Sequence, residues 1–143
     1  MSPNASATAS KKTVAEIMTR DMVTLKVNDT LRLADDIMNL VKIRHFPVMD
    51  ESKVAGVVHQ ADLLHASMRS LIEHPKDSLR QTLGEVVVRA VMTPATTVST
   101  SASIQEAARI MVDKNTECLL VMEAEQLVGL VTRTDLLREL AMS

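Results

Sequence analysis

Two aspartates stand out by position. Asp62 and Asp135 each follow a glycine, Gly56 and Gly129, by six residues, and each opens an Asp-Leu-Leu triplet. An ionised carboxylate only accepts hydrogen bonds, and it can take one from each of two neighbouring hydroxyls. A carboxylate in the first turn of a helix is also favoured by the helix dipole alone. Either chemistry accounts for each aspartate. Thr132, Arg133 and Thr134 precede Asp135, whereas His59, Gln60 and Ala61 precede Asp62. Hydroxyls beside the free N–H groups of a helix start suit an anion, and a Thr there also serves simply as an N-cap. The cations are distributed the other way. Arg44 and His45 lead into the apolar run from Phe46, while Glu117 and Cys118 lead into the run from Leu119. Arg44 and His45 are either solvated charges on a strand edge or the positive charge for an anionic ligand.

Other chemistries find little support. Three glycines leave no Walker loop and no dinucleotide fingerprint. His59 and His65 are not spaced four apart on a helix and have no clustered carboxylate or thiol, so no metal site is expected. No nucleophile–base pair is evident, and the chain is not expected to be an enzyme or to require a cofactor. The formal net charge is −2 and Phe46 is the only aromatic residue, which argues against nucleic acid as a partner. The ten methionines fit helix packing more simply than a cofactor site. The single cysteine, Cys118, excludes an internal disulfide and suggests a reducing cytoplasm. No apolar run approaches the roughly 18 residues of a membrane span. Residues 1–12, rich in Ser, Ala and Thr without an apolar core, read as a disordered tail and not a signal peptide.

The elements that must position these residues come in two copies. Val48-Met49-Asp50 matches Val121-Met122-Glu123, Ala34 matches Ala107, and Met38 matches Met111, all 73 residues apart like the glycines and aspartates. Met18-Thr19 and Met92-Thr93 stand 74 apart, so one residue is gained or lost just after them. This is one duplicated unit and not an array. Each copy opens with a helical turn ending in Met-Thr, followed by a brief extended piece near Val23 to Leu25 or Thr97 to Ser99. An amphipathic helix comes next, carrying Leu31, Ala34, Met38 and Val41, or Ile104, Ala107, Ala108 and Met111. Asp29 or Thr30 caps the first and Ser103 the second. Two strands then pair through polar turns, over 46–49 and 54–59, and over 118–122 and 127–132. A last helix starts near Ala61 or Thr134. The order is β-α-β-β-α per copy, an α/β (α+β) fold. Such a unit cannot enclose its own core well, so the two copies are expected to pack together. Residues 13–69 form the first repeat, 70–83 a linker broken at Pro75, and 84–143 the second repeat.

The Met-Thr starts, the Arg44-His45-Phe46-Pro47-Val48 strand entry, and the runs Gly56 to Asp62 and Gly129 to Asp135 together resemble the CBS domain. The resemblance covers about Val14 to Leu140. It implies a pair of repeats about a pseudo-twofold axis, a Bateman module, with clefts that commonly take AMP, ADP, ATP or a related adenosyl compound. It further implies a regulatory module that pairs into a homodimer and signals to a separate target protein; the alternative is a structural or dimerisation module with empty clefts. Carried over residue by residue, Asp135 and Asp62 hold ribose hydroxyls, and Thr132, Thr134, Arg133 and His59 lie beside them. Arg44 and His45 sit at the phosphate position. Thr24, Thr97, Ile43 and Thr116 are pocket walls. The second copy keeps the hydroxyls of the pattern and the first does not. The homodimer is expected to form through the helices near Ala34 to Val41 and Ala107 to Met111.

Overall fold

The computed structural model describes residues 12–142. The elements are α1 (Val14–Ile17), β1 (Leu25–Lys26), α2 (Leu31–Val41), β2 (His45–Asp50), β3 (Lys53–His59), α3 (Gln60–Glu73), α4 (Leu79–Leu83), a 3-10 turn (Val88–Ala90), β4 (Thr97–Ser99), α5 (Ile104–Lys114), β5 (Cys118–Glu123), β6 (Gln126–Thr132) and α6 (Arg133–Ala141). They form an α+β fold with the expected duplication. In each three-stranded sheet the short first strand runs parallel to the second, which pairs antiparallel with the third.

The chain divides into two compact units: Met22–Ala95, and the described residues up to Asp21 together with those from Thr96 onward. The leading Met-Thr turns therefore do not fold with the copy that follows them in sequence. Thr19 joins β6, with its N–H donating to the Leu130 carbonyl (2.8 Å) and the Leu130 N–H donating back (3.0 Å). Thr93 does the same on β3, exchanging two bonds of 2.9 Å with Val57. These exchanges pair backbone groups of the third strand in each sheet that no other strand covers.

Local signals explain the helices. Thr30 and Ser103 accept the N–H of Leu33 and of Glu106, so Thr30 and not Asp29 is the cap of α2. Both helices end on a left-handed residue, Lys42 and Asn115. Leu31, Ala34 and Met38 of α2 enter one core with Phe46, Val48 and Val58. Ala107 and Met111 of α5 enter the other with Leu119, Val121 and Val131. Ala34, Met38, Ala107 and Met111, on the helices expected to build a dimer, thus face inward on each helix's core stripe, whereas Val41, expected on that stripe, is exposed at the end of α2. The third strand of each sheet ends in a helix: α3 follows β3 and α6 follows β6 directly. The expected linker, 70–83, begins inside α3, which runs on to Glu73, and Pro75 separates that helix from α4.

The tail expected over residues 1–12 lies outside the described residues except for Lys12. Lys12 pairs with Glu139 of α6, and its carbonyl accepts the Ile104 N–H. Among the described residues no helix is long and apolar enough to cross a membrane.

Candidate functional site

The site residues gather in each unit where the third strand runs into its helix. In the second repeat Thr132 is the N-cap of α6 and Asp135 occupies the third helical position. The Asp135 Oδ2 accepts the Thr132 N–H (2.8 Å), and the Thr132 Oγ1 accepts the Asp135 N–H (3.2 Å). This reciprocal box satisfies two helix-start donors and fixes the carboxylate in one orientation. The cap is therefore Thr132, whereas Thr134 is an exposed residue within the first turn. The other oxygen of Asp135 lies 3.5 Å from Arg138 Nη1, and the carboxylate side chain is only 13% exposed.

The first repeat has the same frame with different chemistry. His59 takes the cap position of α3, and its N–H donates to Asp62 Oδ2 (2.8 Å). In both repeats the helix is also tied to the entry of the middle strand. The Gln60 N–H donates to the Arg44 carbonyl and the Arg133 N–H to the Glu117 carbonyl, each at 2.9 Å. Positions 44 and 117, and 60 and 133, are thus neighbours by construction of the fold. The second repeat uses this adjacency for an ion pair, Arg133 Nη1 to Glu117 Oε1 at 3.2 Å. The first has Arg44 and Gln60 at these two positions, a carboxylate at neither. Position by position, then, the first strand entry presents positive charge and the second a neutralised pair.

One contact was not visible in sequence spacing. His45 and His59 are direct cross-strand partners, and their Nδ1 atoms lie 2.9 Å apart with the rings edge-on at 81°. Only strand register brings residues 14 apart together, so no helical spacing could have announced it. The equivalent pair in the second repeat is Cys118 and Thr132. Burial pushes the Cys118 thiol up to about 12, with the negative charges of Asp135 and Glu117 adding to the effect. It is a packing residue at neutral pH, not a nucleophile.

The expected wall residues are less uniform. The Thr116 hydroxyl is engaged at the entry to β5, donating to the Cys118 carbonyl (3.2 Å). Ile43 is partly buried against the first core. Thr24 and Thr97 are exposed at the start of the first strand of each sheet.

The glycines of the two Gly-to-Asp runs have a structural reason. A Cβ on Gly56 would lie 2.7 Å from the Thr93 carbonyl oxygen, and one on Gly129 would lie 2.7 Å from Met18 Cγ. Each glycine admits the Met-Thr turn that pairs onto its strand. The recurring motifs are thus two sides of one contact.

The CBS domain family model matches residues 14–69 and 88–142. Among solved structures, the putative acetoin utilization protein AcuB of Vibrio cholerae is 32% identical with a TM-score of 0.75, each chain covered over 93%. CBSX2, solved in complex with AMP, is 27% identical with a TM-score of 0.74, covering 92% of this chain and 97% of that one. An uncharacterized protein of Methanocaldococcus jannaschii is 32% identical over 90% of this chain, and the match spans 32% of its length. With both repeats matched over most of the chain, this protein belongs to the CBS-domain family as a tandem CBS pair.

Proposed function

We propose that this CBS pair is a regulatory module that binds an adenine nucleotide or related adenosyl compound and signals its presence to a separate target protein. The observation that carries the reading is the pair of helix-start carboxylates, Asp62 and Asp135, held in equivalent geometry. Capping uses one oxygen of each carboxylate and fixes its direction. Lone pairs remain on each carboxylate for a ribose diol. The likeness to CBSX2, a protein solved with AMP, supports the ligand class. The family is generally regulatory and not catalytic, and a ligand that prefers one arrangement of the module shifts its population toward that arrangement.

Isothermal calorimetry of the full chain with AMP, ADP, ATP, adenosine and S-adenosylmethionine tests this. Saturable binding of at least one is expected. Heat signals no larger than dilution for all five would leave the competing reading, a structural module with empty clefts. That reading draws on the capping boxes, which by themselves give both aspartates a role.

A further inference from the structure

We propose that the pair Glu117 and Arg133 sets the ligand charge accepted by the second repeat, so that this repeat prefers an adenosyl compound without phosphate and the first prefers a phosphate-bearing nucleotide. The inference deepens the adenosyl reading above and rests on it. It comes from one structural equivalence. In both repeats a backbone bond of 2.9 Å joins the helix start to the strand entry, Gln60 to Arg44 and Arg133 to Glu117. The backbone therefore sets the two residues of each junction side by side whatever their charge. The first junction has arginine and glutamine, and the second has glutamate and arginine.

The second junction lies beside the carboxylate proposed to hold the ribose. Glu117 immediately precedes Cys118, the cross-strand partner of Thr132, and the Asp135 carboxylate accepts the Thr132 N–H at 2.8 Å. Both acids act on one point: after burial, Asp135 and Glu117 are what raise the Cys118 thiol. Two arginines at this end are already engaged, Arg133 with Glu117 at 3.2 Å and Arg138 with Asp135 at 3.5 Å.

The phosphate of a nucleotide is carried on the same ribose whose diol Asp135 would hold. Its charge then stays within roughly a Debye length, about 8–10 Å, of that carboxylate and its neighbours. To meet a cation at this junction it must draw Arg133 away from Glu117, and it then faces the uncovered Glu117 carboxylate. At the first junction Arg44 neighbours an uncharged glutamine, so a phosphate meets a cation with no acid beside it in the pair. An uncharged or cationic substituent, as in adenosine or S-adenosylmethionine, meets no such opposition in the second repeat. The Arg133 and Glu117 side chains are 56% and 57% exposed, so water weakens each interaction and the preference is graded, not absolute.

The test reads the two repeats separately. The amide N–H groups of Asp62 and Asp135 serve as nuclear magnetic resonance reporters, one in each repeat, while adenosine, S-adenosylmethionine and ATP are titrated into the full chain. The quantity compared is the ratio of ATP to adenosine affinity at each reporter. In the natural chain this ratio is expected to be about tenfold lower at Asp135 than at Asp62, the scale of one charge acting on a polyphosphate through water. Glu117→Gln should raise the Asp135 ratio, and Arg133→Gln should lower it. Glu117→Arg combined with Arg133→Gln copies Arg44 and Gln60, and should lift the ratio toward that of the first repeat by an amount that shrinks in about 0.5 M salt. None of these substitutions removes the backbone bond between the two positions. A merely structural role would move both single variants in the same direction, since each breaks the same ion pair. That result overturns the proposal and leaves the adenosyl reading standing. So does a ratio that no variant moves while adenosine still shifts the Asp135 amide. Shifts at neither amide with any of the three ligands overturn both.

Discussion

Met18 lies directly against Gly129, close enough that a Cβ on the glycine would come within 2.7 Å of Met18 Cγ and nearer still to its Sδ. The corresponding glycine, Gly56, faces a backbone atom instead, the Thr93 carbonyl oxygen at 2.7 Å. The two contacts predict unequal costs. Met18 is a flexible side chain and can move aside, so Gly129→Ala should destabilise its unit by about 1–3 kcal/mol, the range for overpacking. Thr93 cannot yield without loosening the bond its carbonyl accepts from the Val57 N–H. Gly56→Ala should therefore cost more than Gly129→Ala. Urea unfolding of the two variants measures the order, and equal midpoints would show that the carbonyl contact does not constrain the strand.

The carboxylate boxes predict separable effects on stability and on ligand. Removing the Asp135 side chain with Asp135→Ala should cost about 0.5–2 kcal/mol of stability without any nucleotide, the scale of a lost cap. Asp135→Asn keeps an acceptor for the Thr132 N–H, so it should fold nearly as well. Its nucleotide affinity should still fall by about 1.5–3 kcal/mol, because a charge-assisted bond becomes a neutral one. Asp62→Asn should cost less, since the first repeat lacks the neighbouring hydroxyls of Thr132 and Thr134. Unchanged affinity in both Asn variants would mean that these carboxylates only start helices.

The strand entries predict where phosphate matters. Arg44 keeps its charge at every working pH and has no carboxylate at the position where Glu117 meets Arg133. Arg44→Ala should weaken ATP and ADP binding much more than adenosine binding, because adenosine has no phosphate to lose. Titration of the three ligands into the variant decides the matter, and equal losses for all three would remove Arg44 from the phosphate position.

Much of this frame was legible in the sequence because duplication prints it twice. The spacing of Ala34, Met38, Ala107 and Met111 placed α2 and α5 within a few residues. The alternation around Val48 and Val121 placed the hairpins. What the sequence hid was pairing between distant segments. Met18-Thr19 reads as the start of the first copy, yet it bonds to Leu130, because strand pairing obeys open edges and not sequence order. His45 and His59 likewise look unrelated until register sets them opposite each other. The choice of Thr132 over Thr134 as the cap was one of two residues apart, the usual uncertainty of a helix start.

Cys118 predicts a pH effect with a definite sign. Its folded thiol titrates at about 12 against an ordinary value of 9.0. Between these values the unfolded chain has lost the proton and the folded chain keeps it. Stability therefore falls as pH rises from about 9 toward about 12, and this group contributes no slope below that window. Cys118→Ala should flatten that part of the stability profile. At pH 8 the native thiol should resist iodoacetamide and react once urea unfolds the chain, and rapid alkylation of the folded protein would contradict its burial.

The last prediction concerns assembly, and the side chains open to it are those that the cores leave exposed. Since Ala34, Met38, Ala107 and Met111 fill the cores of their own units, they are not free to join a second copy. The exposed apolar residues of α3 are Leu64, Met68, Leu71 and Ile72, at 57%, 61%, 53% and 77% exposure. Their spacing of four, three and one puts them on one side of the helix. In the other unit, Leu137, the counterpart of Leu64, and Leu140 are exposed on α6, at 57% and 71%. An exposed apolar stripe of this kind along one helix, as on α3, marks an association surface more often than a solvated one. A homodimer through α3 is therefore expected, with its stripe as the centre. Sedimentation equilibrium at micromolar protein should give a dimer for the natural chain. Leu71→Glu with Ile72→Glu should give a monomer that melts at nearly the same temperature when compared at matched monomer state, because neither side chain supports its own unit's core. A monomeric natural chain would remove the dimer altogether. A dimer that survives the double substitution would place the interface elsewhere.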